Sequence, residues 1–280
     1  MGMRTLSLRA WQTFVVDPLR GADRGQVETA RGGHARGWEV AALLLFAGLC
    51  LSGLEYIAKS PGYRVVGEWV SWFGPHGAGD ALVAWYEDPS EGRFRRLQHW
   101  ALGNVLFLGV LPFIFCRWVL RLNAKQMGLG LGSWRDEGLA YLVFFAFMLP
   151  VLWWASTLPG FQSTYPFYKP AGDEALWPRF WAFEAMYVLQ FLALEFFFRG
   201  VLVVVLARWL GSAALWVMVV PYVMLHFGKP GLETLGAFFA GAVLGLWALR
   251  SRSIWLGVAV HASVGVTMDL LALARTRGWG

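Results

Sequence analysis

The chain has 280 residues, of which 57% are hydrophobic and only 15% are Asp, Glu, Lys or Arg. A water-soluble domain carries about 25% charged residues, so this composition excludes one, and 16% aromatic residues exclude a disordered chain. The net charge of +6 does not point to nucleic acid: the basic residues punctuate apolar runs and form no patch interleaved with aromatics.

The first 37 residues are polar and carry Arg4, Arg9, Arg20, Arg24, Arg31 and Arg36. The apolar run behind them is too long and too late for a cleaved signal peptide, and it reads as a retained first span. About 20 apolar residues cross a bilayer core as a helix. Seven runs approach that length, at residues 40–57, 100–120, 139–157, 180–207, 213–227, 235–249 and 254–274. The chain is therefore expected to be an all-α polytopic membrane protein, a bundle of seven to eight transmembrane helices. A Trp-rich stretch, 65–86, is the candidate for the eighth, with an interfacial position as its other reading. The loop 158–179, rich in Pro and aromatics, also reads as interfacial. Pro112, Pro150 and Pro221 fall inside spans, where neighbouring groups satisfy the freed carbonyls.

Arginine placement supplies an orientation. A cytoplasmic N-terminus puts the Arg117–Arg135 loop, the Arg208 turn and the Arg250–Arg252 turn on the same side, leaving Arg275 and Arg277 as exceptions. The expected location is a bacterial inner membrane, with the lipid bilayer as one partner. Three regions follow: a basic segment, 1–37; two spans with an outer loop, 38–122; and a C-terminal domain, 123–280. Cys50 and Cys116 lie inside apolar runs and form no disulfide framework. The glycine-rich stretch Gly128–Gly132 lacks the Lys-Ser/Thr of a phosphate loop. No cofactor, metal or nucleic acid is expected.

An ionisable residue at bilayer depth is a functional candidate by default. Those within the runs are Glu55, Glu184, Glu195, Arg199, His226, His261 and Asp269. Glu55 and Asp269 fall near span ends. Glu195 and Arg199, four apart, share a helix face and can pair. Glu195 lies 16 residues before the Gly211 turn and His226 lies 15 after it, so a helical hairpin brings them to nearly the same depth. His261 is 10 residues beyond Ser251, and its match in depth is looser. A glutamate in low dielectric can serve as general base toward water, and imidazole N–H groups can stabilise an oxyanion; together they suit peptide hydrolysis. Two His and one Glu are also a zinc set, but the i, i+4 histidine pair that would specify zinc is absent.

Residues 125–270 resemble the CPBP family of intramembrane proteases, which includes CAAX endopeptidases and bacterial Abi-type proteins. The motifs of that family run E-E-x-x-x-R, F-x-x-x-H and H-x-x-x-N/D. Glu195 and Arg199-Gly200 match the second glutamate and the Arg-Gly of the first; Tyr222 to His226 match the second, with Tyr for Phe; His261 opens the third. Leu194 stands where the first glutamate belongs, and Gly265 where Asn or Asp belongs. The resemblance implies His226 and His261 as oxyanion or water-positioning groups and Arg199 as a structural partner. Glu195 or Glu184 is then the candidate base, and Asp269 the candidate substitute for the missing Asn/Asp. The implied activity is an intramembrane endopeptidase acting on a membrane-protein or lipopeptide substrate tail. The alternatives are a non-catalytic member of the same fold that holds such a tail, and a haem protein ligated by His226 and His261.

Overall fold

A backbone in hydrocarbon has no water to bond, so apolar runs of this length close their hydrogen bonds within helices. The computed structural model, which describes residues 8–31, 37–172 and 174–278, follows this rule: every regular element among the described residues is helical. Arg4 and Arg36 of the basic segment lie outside the described residues. The segment's helix α1 (Asp17–Arg31) precedes the first span, α2 (Gly37–Ala58). The other long apolar helices are α5 (Gly92–Val119), α6 (Trp134–Ala155), α8 (Arg179–Leu210), α10 (Gly231–Ser251) and α11 (Trp255–Thr276), with the shorter apolar α9 (Ala213–Met224) between α8 and α10. All seven expected runs are present as helices.

The stretch 65–86 forms two short helices, α3 (Gly62–Phe73) and α4 (Ala78–Glu87), separated at Gly74. Neither reaches the length a bilayer requires. Trp69, Trp72, Phe73 and Trp85 are exposed along them, as expected of an interfacial hairpin. The loop 158–178 is more closely packed than that hairpin. It contains α7 (Pro159–Thr164) and folds over the end of the bundle, burying Phe161, Tyr165 and Tyr168. Aromatic packing draws it in: Phe167 meets Trp100 and Tyr187 at 5.3 and 5.4 Å between ring centroids, and Tyr168 meets Phe94 at 5.4 Å.

Burial ranks the spans. Over its most apolar window α8 is 78% buried and α6 only 6%, so α8 is the axis of the bundle and α6 a lipid-facing helix laid against α11. At the opposite end from the loop, α1 covers the turn that joins α8 to α9. There Asp23 Oδ1 accepts the Ser212 N–H at 2.7 Å, and Ala22 is buried.

Candidate active site

Helices α8 and α11 run against each other with their side chains in matched layers. The α11 face toward α8 reads Gly257, His261, Gly265, Asp269, each four residues from the last and therefore on one stripe. The α8 side presents Glu195, Phe191, Tyr187 and Glu184. Small residues on a membrane helix allow a close approach, and both glycines serve that purpose. A Cβ at Gly257 would collide with Glu195 Oε2, and one at Gly265 would come within 2.6 Å of Phe191 Cε2. A side chain at 265 has no room: the Phe191 ring fills the space, and it stacks on His261 at 4.7 Å with 16° between the planes.

Glu195 is fully buried, and its Oε1 accepts two hydrogen bonds, from Arg199 Nη1 at 2.9 Å and from His261 Nδ1 at 2.7 Å. Arg199, also buried, lies over the Tyr222 ring at 4.2 Å. A buried guanidinium thus has a carboxylate and an aromatic face to offset its lost hydration. Arg199 sits in a π-helical stretch, Phe196–Val205, with the Leu206 N–H bonded to Val201 O at 3.1 Å. Such widened turns gather at functional sites, where they re-aim the side chains that follow.

Equal depth across the α8–α9 hairpin predicts that Glu195 meets His226 more closely than His261. The direct contact is with His261. Helix α9 ends at Met224, so His226 stands in the turn beyond it, its Nδ1 donating to Tyr222 O at 3.0 Å and its own carbonyl accepting from Thr234 Oγ1 at 2.8 Å. Tyr222 links the two histidines: its ring centroid is 5.0 Å from His226 and 6.2 Å from His261, and its hydroxyl is 3.5 Å from His261 Nε2. The Tyr222 ring against both imidazoles gives a bis-histidine haem no support.

Hydrogen-bond partners assign the tautomers. A carbonyl only accepts, so His226 Nδ1 carries the hydrogen. Glu195 Oε1 accepts from Arg199, and with that same oxygen as acceptor His261 Nδ1 is a donor too. Each imidazole is therefore anchored through Nδ1, and its Nε2 is left for a further partner.

Glu195, Arg199, Tyr222, His226 and His261 are brought together; Glu184 and Asp269 form a second group toward the 158–178 loop. Asp269 Oδ2 accepts the Phe167 N–H at 3.2 Å, and its carboxyl interacts with that of Glu184. Asp269 thus helps anchor the loop and does not stand in for the residue missing at 265. Both Glu184 oxygens and Asp269 Oδ1 have no hydrogen-bonding partner among the described residues. Nearby, the Tyr165 hydroxyl donates to Glu233 at 2.8 Å, and Lys229 Nζ donates to the same carboxylate at 2.7 Å. Burial, with Glu233 beside it, holds the Tyr165 hydroxyl well above the usual phenol range, so it remains a donor. Leu194 points away from Glu195 and packs on the apolar core.

Sequence reasoning did not single out Phe191 or Gly257. Each is four residues from a residue that was, Phe191 before Glu195 and Gly257 before His261, so the helical repeat was the signal that could have found them.

A family model described as Rce1-like, type II CAAX prenyl endopeptidase Rce1-like, matches residues 175–267. That is about a third of the chain, and it contains Glu184, Glu195, Arg199, Tyr222, His226 and His261, with Asp269 just beyond its end. The match supports membership of the CPBP/CAAX protease family and a protease kind of function. No curated protein and no solved structure matches the chain.

Proposed function

We propose that this integral membrane protein is an intramembrane endopeptidase in which His261, oriented by Glu195, is the base that activates water. The observation that carries the reading is the 2.7 Å bond from His261 Nδ1 to a carboxylate oxygen shared with Arg199. Glu195 is sealed from water on every side, so its contribution is to fix the imidazole and stabilise the imidazolium as it forms. A carboxylate behind a histidine plays this part in hydrolases of unrelated fold. His261 is the more accessible partner, its side chain 17% exposed against 0% for Glu195. His226, anchored through Nδ1, offers a second acceptor for a hydrogen of the water.

The substrate class follows from the setting and from the matched family's description: a peptide tail at the membrane, with a prenylated cysteine tail as the first to test. The proposed orientation, which the basic clusters support, has the Gly211 turn and the N-terminus facing the cytoplasm of a bacterial inner membrane, with residues 123–280 as the proposed proteolytic domain. Purified protein in lipid nanodiscs is expected to release the C-terminal peptide from a prenylated reporter, and Glu195→Gln and His261→Ala to abolish release. Retention of cleavage by both variants would refute the assignment.

One observation favours a second reading, a non-catalytic member that holds such a tail: Leu194 and Gly265 remove two polar side chains from the resembled motifs. A wild-type protein that binds the reporter without cutting it would establish that reading.

A further inference from the structure

We propose that a cavity between the loop 158–178 and the C-terminal end of α11 binds the phosphate of an anionic glycerophospholipid. The site is separate from the Glu195–His261 pair, and the proposal holds whether or not that pair cuts peptides. The cavity volume is about 420 Å³, within the roughly 300–1,000 Å³ of sites for small organic ligands and more than a bare ion fills. One wall is the loop, with Gln162, Tyr165 and Lys169. The other is α11 and the residue after it, with Thr276 and Arg277.

Two cations from different elements meet across this space. Lys169 Nζ donates to Ser163 O and makes no ion pair among the described residues, so no described carboxylate offsets its charge. Arg277 Nη2 donates to Glu174 O at 2.7 Å, which holds the guanidinium fork against the loop. The carboxylates nearby are committed to other donors. Glu174 accepts from the Tyr168 O–H and the Ala171 N–H, and Glu233 accepts from the Tyr165 hydroxyl and Lys229. A lysine point charge beside an arginine fork, with neutral donors around them, suits a phosphate group.

The surroundings put that phosphate on a lipid. Arg275, two residues before Arg277, lies over Trp153 at 4.9 Å, and Trp153 and Trp154 are exposed near the end of α6. Exposed tryptophans at the end of an apolar helix stand at headgroup level, so the cavity opens where lipid phosphates already are. Arg275 and Arg277 are also the exceptions to the charge distribution that orients the chain. Trp153 and Ser156 Oγ, which accepts from Arg275 Nε at 3.0 Å, account for the first. An anionic headgroup in the cavity accounts for the second, since basic pockets between membrane helices hold such groups. A phosphate bonded to Lys169 and Arg277 bridges the loop to α11, the two elements that Phe167 and Asp269 already join.

The test titrates detergent-solubilised protein with phosphatidylglycerol and reads bound lipid by native mass spectrometry. Wild type is expected to bind one lipid about tenfold more tightly than Lys169→Gln or Arg277→Gln, as the loss of one charge-assisted hydrogen bond implies. Lys59→Gln removes the same charge at the same end of the bundle but outside the cavity, where Lys59 pairs with Glu55, and its affinity should stay within about twofold of wild type. Equal affinity in wild type and all three variants would overturn the proposal. An equal loss in all three would overturn it too, because that is attraction between charged surfaces and no site. Inorganic phosphate distinguishes the two sources of the group: if it displaces the lipid from wild type at equal molar concentration, the ligand is free phosphate and the lipid assignment falls. If Arg277→Gln fails to fold, Lys169→Gln, whose one bond is to a loop carbonyl, decides by the same criterion.

Discussion

Two buried polar groups lie along the α8–α11 interface, and they are built in opposite ways. At Glu195 one carboxylate oxygen accepts from two donors, Arg199 and His261, while the other has none among the described residues. At Glu184 and Asp269 two carboxyls face each other, and three of their four oxygens have no donor among the described residues. Facing carboxyls in a dry site hold together only through a shared proton. The first group therefore keeps separated charge ready beside an accessible imidazole. The second, with the Phe167 N–H on Asp269, ties a loop to the bundle end as a proton-sharing clamp. Acidity within a membrane span marks a candidate; the presence of donors distinguishes a reactive site from a fastening.

Substitutions can break that contrast, and the largest effect is expected at Glu195. Glu195→Gln keeps an acceptor for Arg199 but removes the charge that sets the His261 tautomer, and cleavage per folded molecule should fall about 10⁴-fold, as when the carboxylate behind another catalytic histidine is neutralised. Next is Arg199→Met, which leaves Glu195 buried without its cation. A loss of about 3–5 kcal/mol is expected in unfolding followed in detergent, and a loss below about 1 kcal/mol would show that Arg199 is not what compensates the carboxylate. Gly257→Ala drives a methyl against Glu195 Oε2, costing about 1–3 kcal/mol by overpacking and displacing the carboxylate from His261; cleavage should fall along with the unfolding temperature. The smallest effect belongs to the second group. Glu184→Gln substitutes one neutral, hydrogen-bonding group for another, so cleavage should stay within about threefold and stability within about 1 kcal/mol. A collapse of activity there would move Glu184 into the reactive site and erase the distinction.

Much of this was legible in the chain. Seven apolar runs appear as seven helices because the bilayer requirement is local: each run satisfies its own backbone, whatever its neighbours do. The i, i+4 pairing of Glu195 with Arg199 was legible for the same reason. The partner of Glu195 was not. Counting residues from the turns placed His226 at its depth, but α9 stops at Met224 and the π-helical stretch after Glu195 alters the rise and rotation of α8, neither of which a count at constant rise can register. How the loop 158–178 packs was not legible either, because aromatic rings suit both a membrane interface and the end of a bundle, and only the positions of Trp100 and Tyr187 show which of its rings are drawn in.

By itself, then, the sequence determined the solvent, the helices and the short roster of ionisable groups, since scarcity of charge and length of apolar run are properties of the chain read in order. Tertiary structure alone decided which of those groups meet. Gly257 and Gly265 let α11 approach α8 closely enough for His261 to reach Glu195, and Phe191 fills the space that a side chain at 265 would need. A hydrogen bond extends about 3 Å, and that distance between residues 66 apart is set by helix packing and by nothing local to either of them.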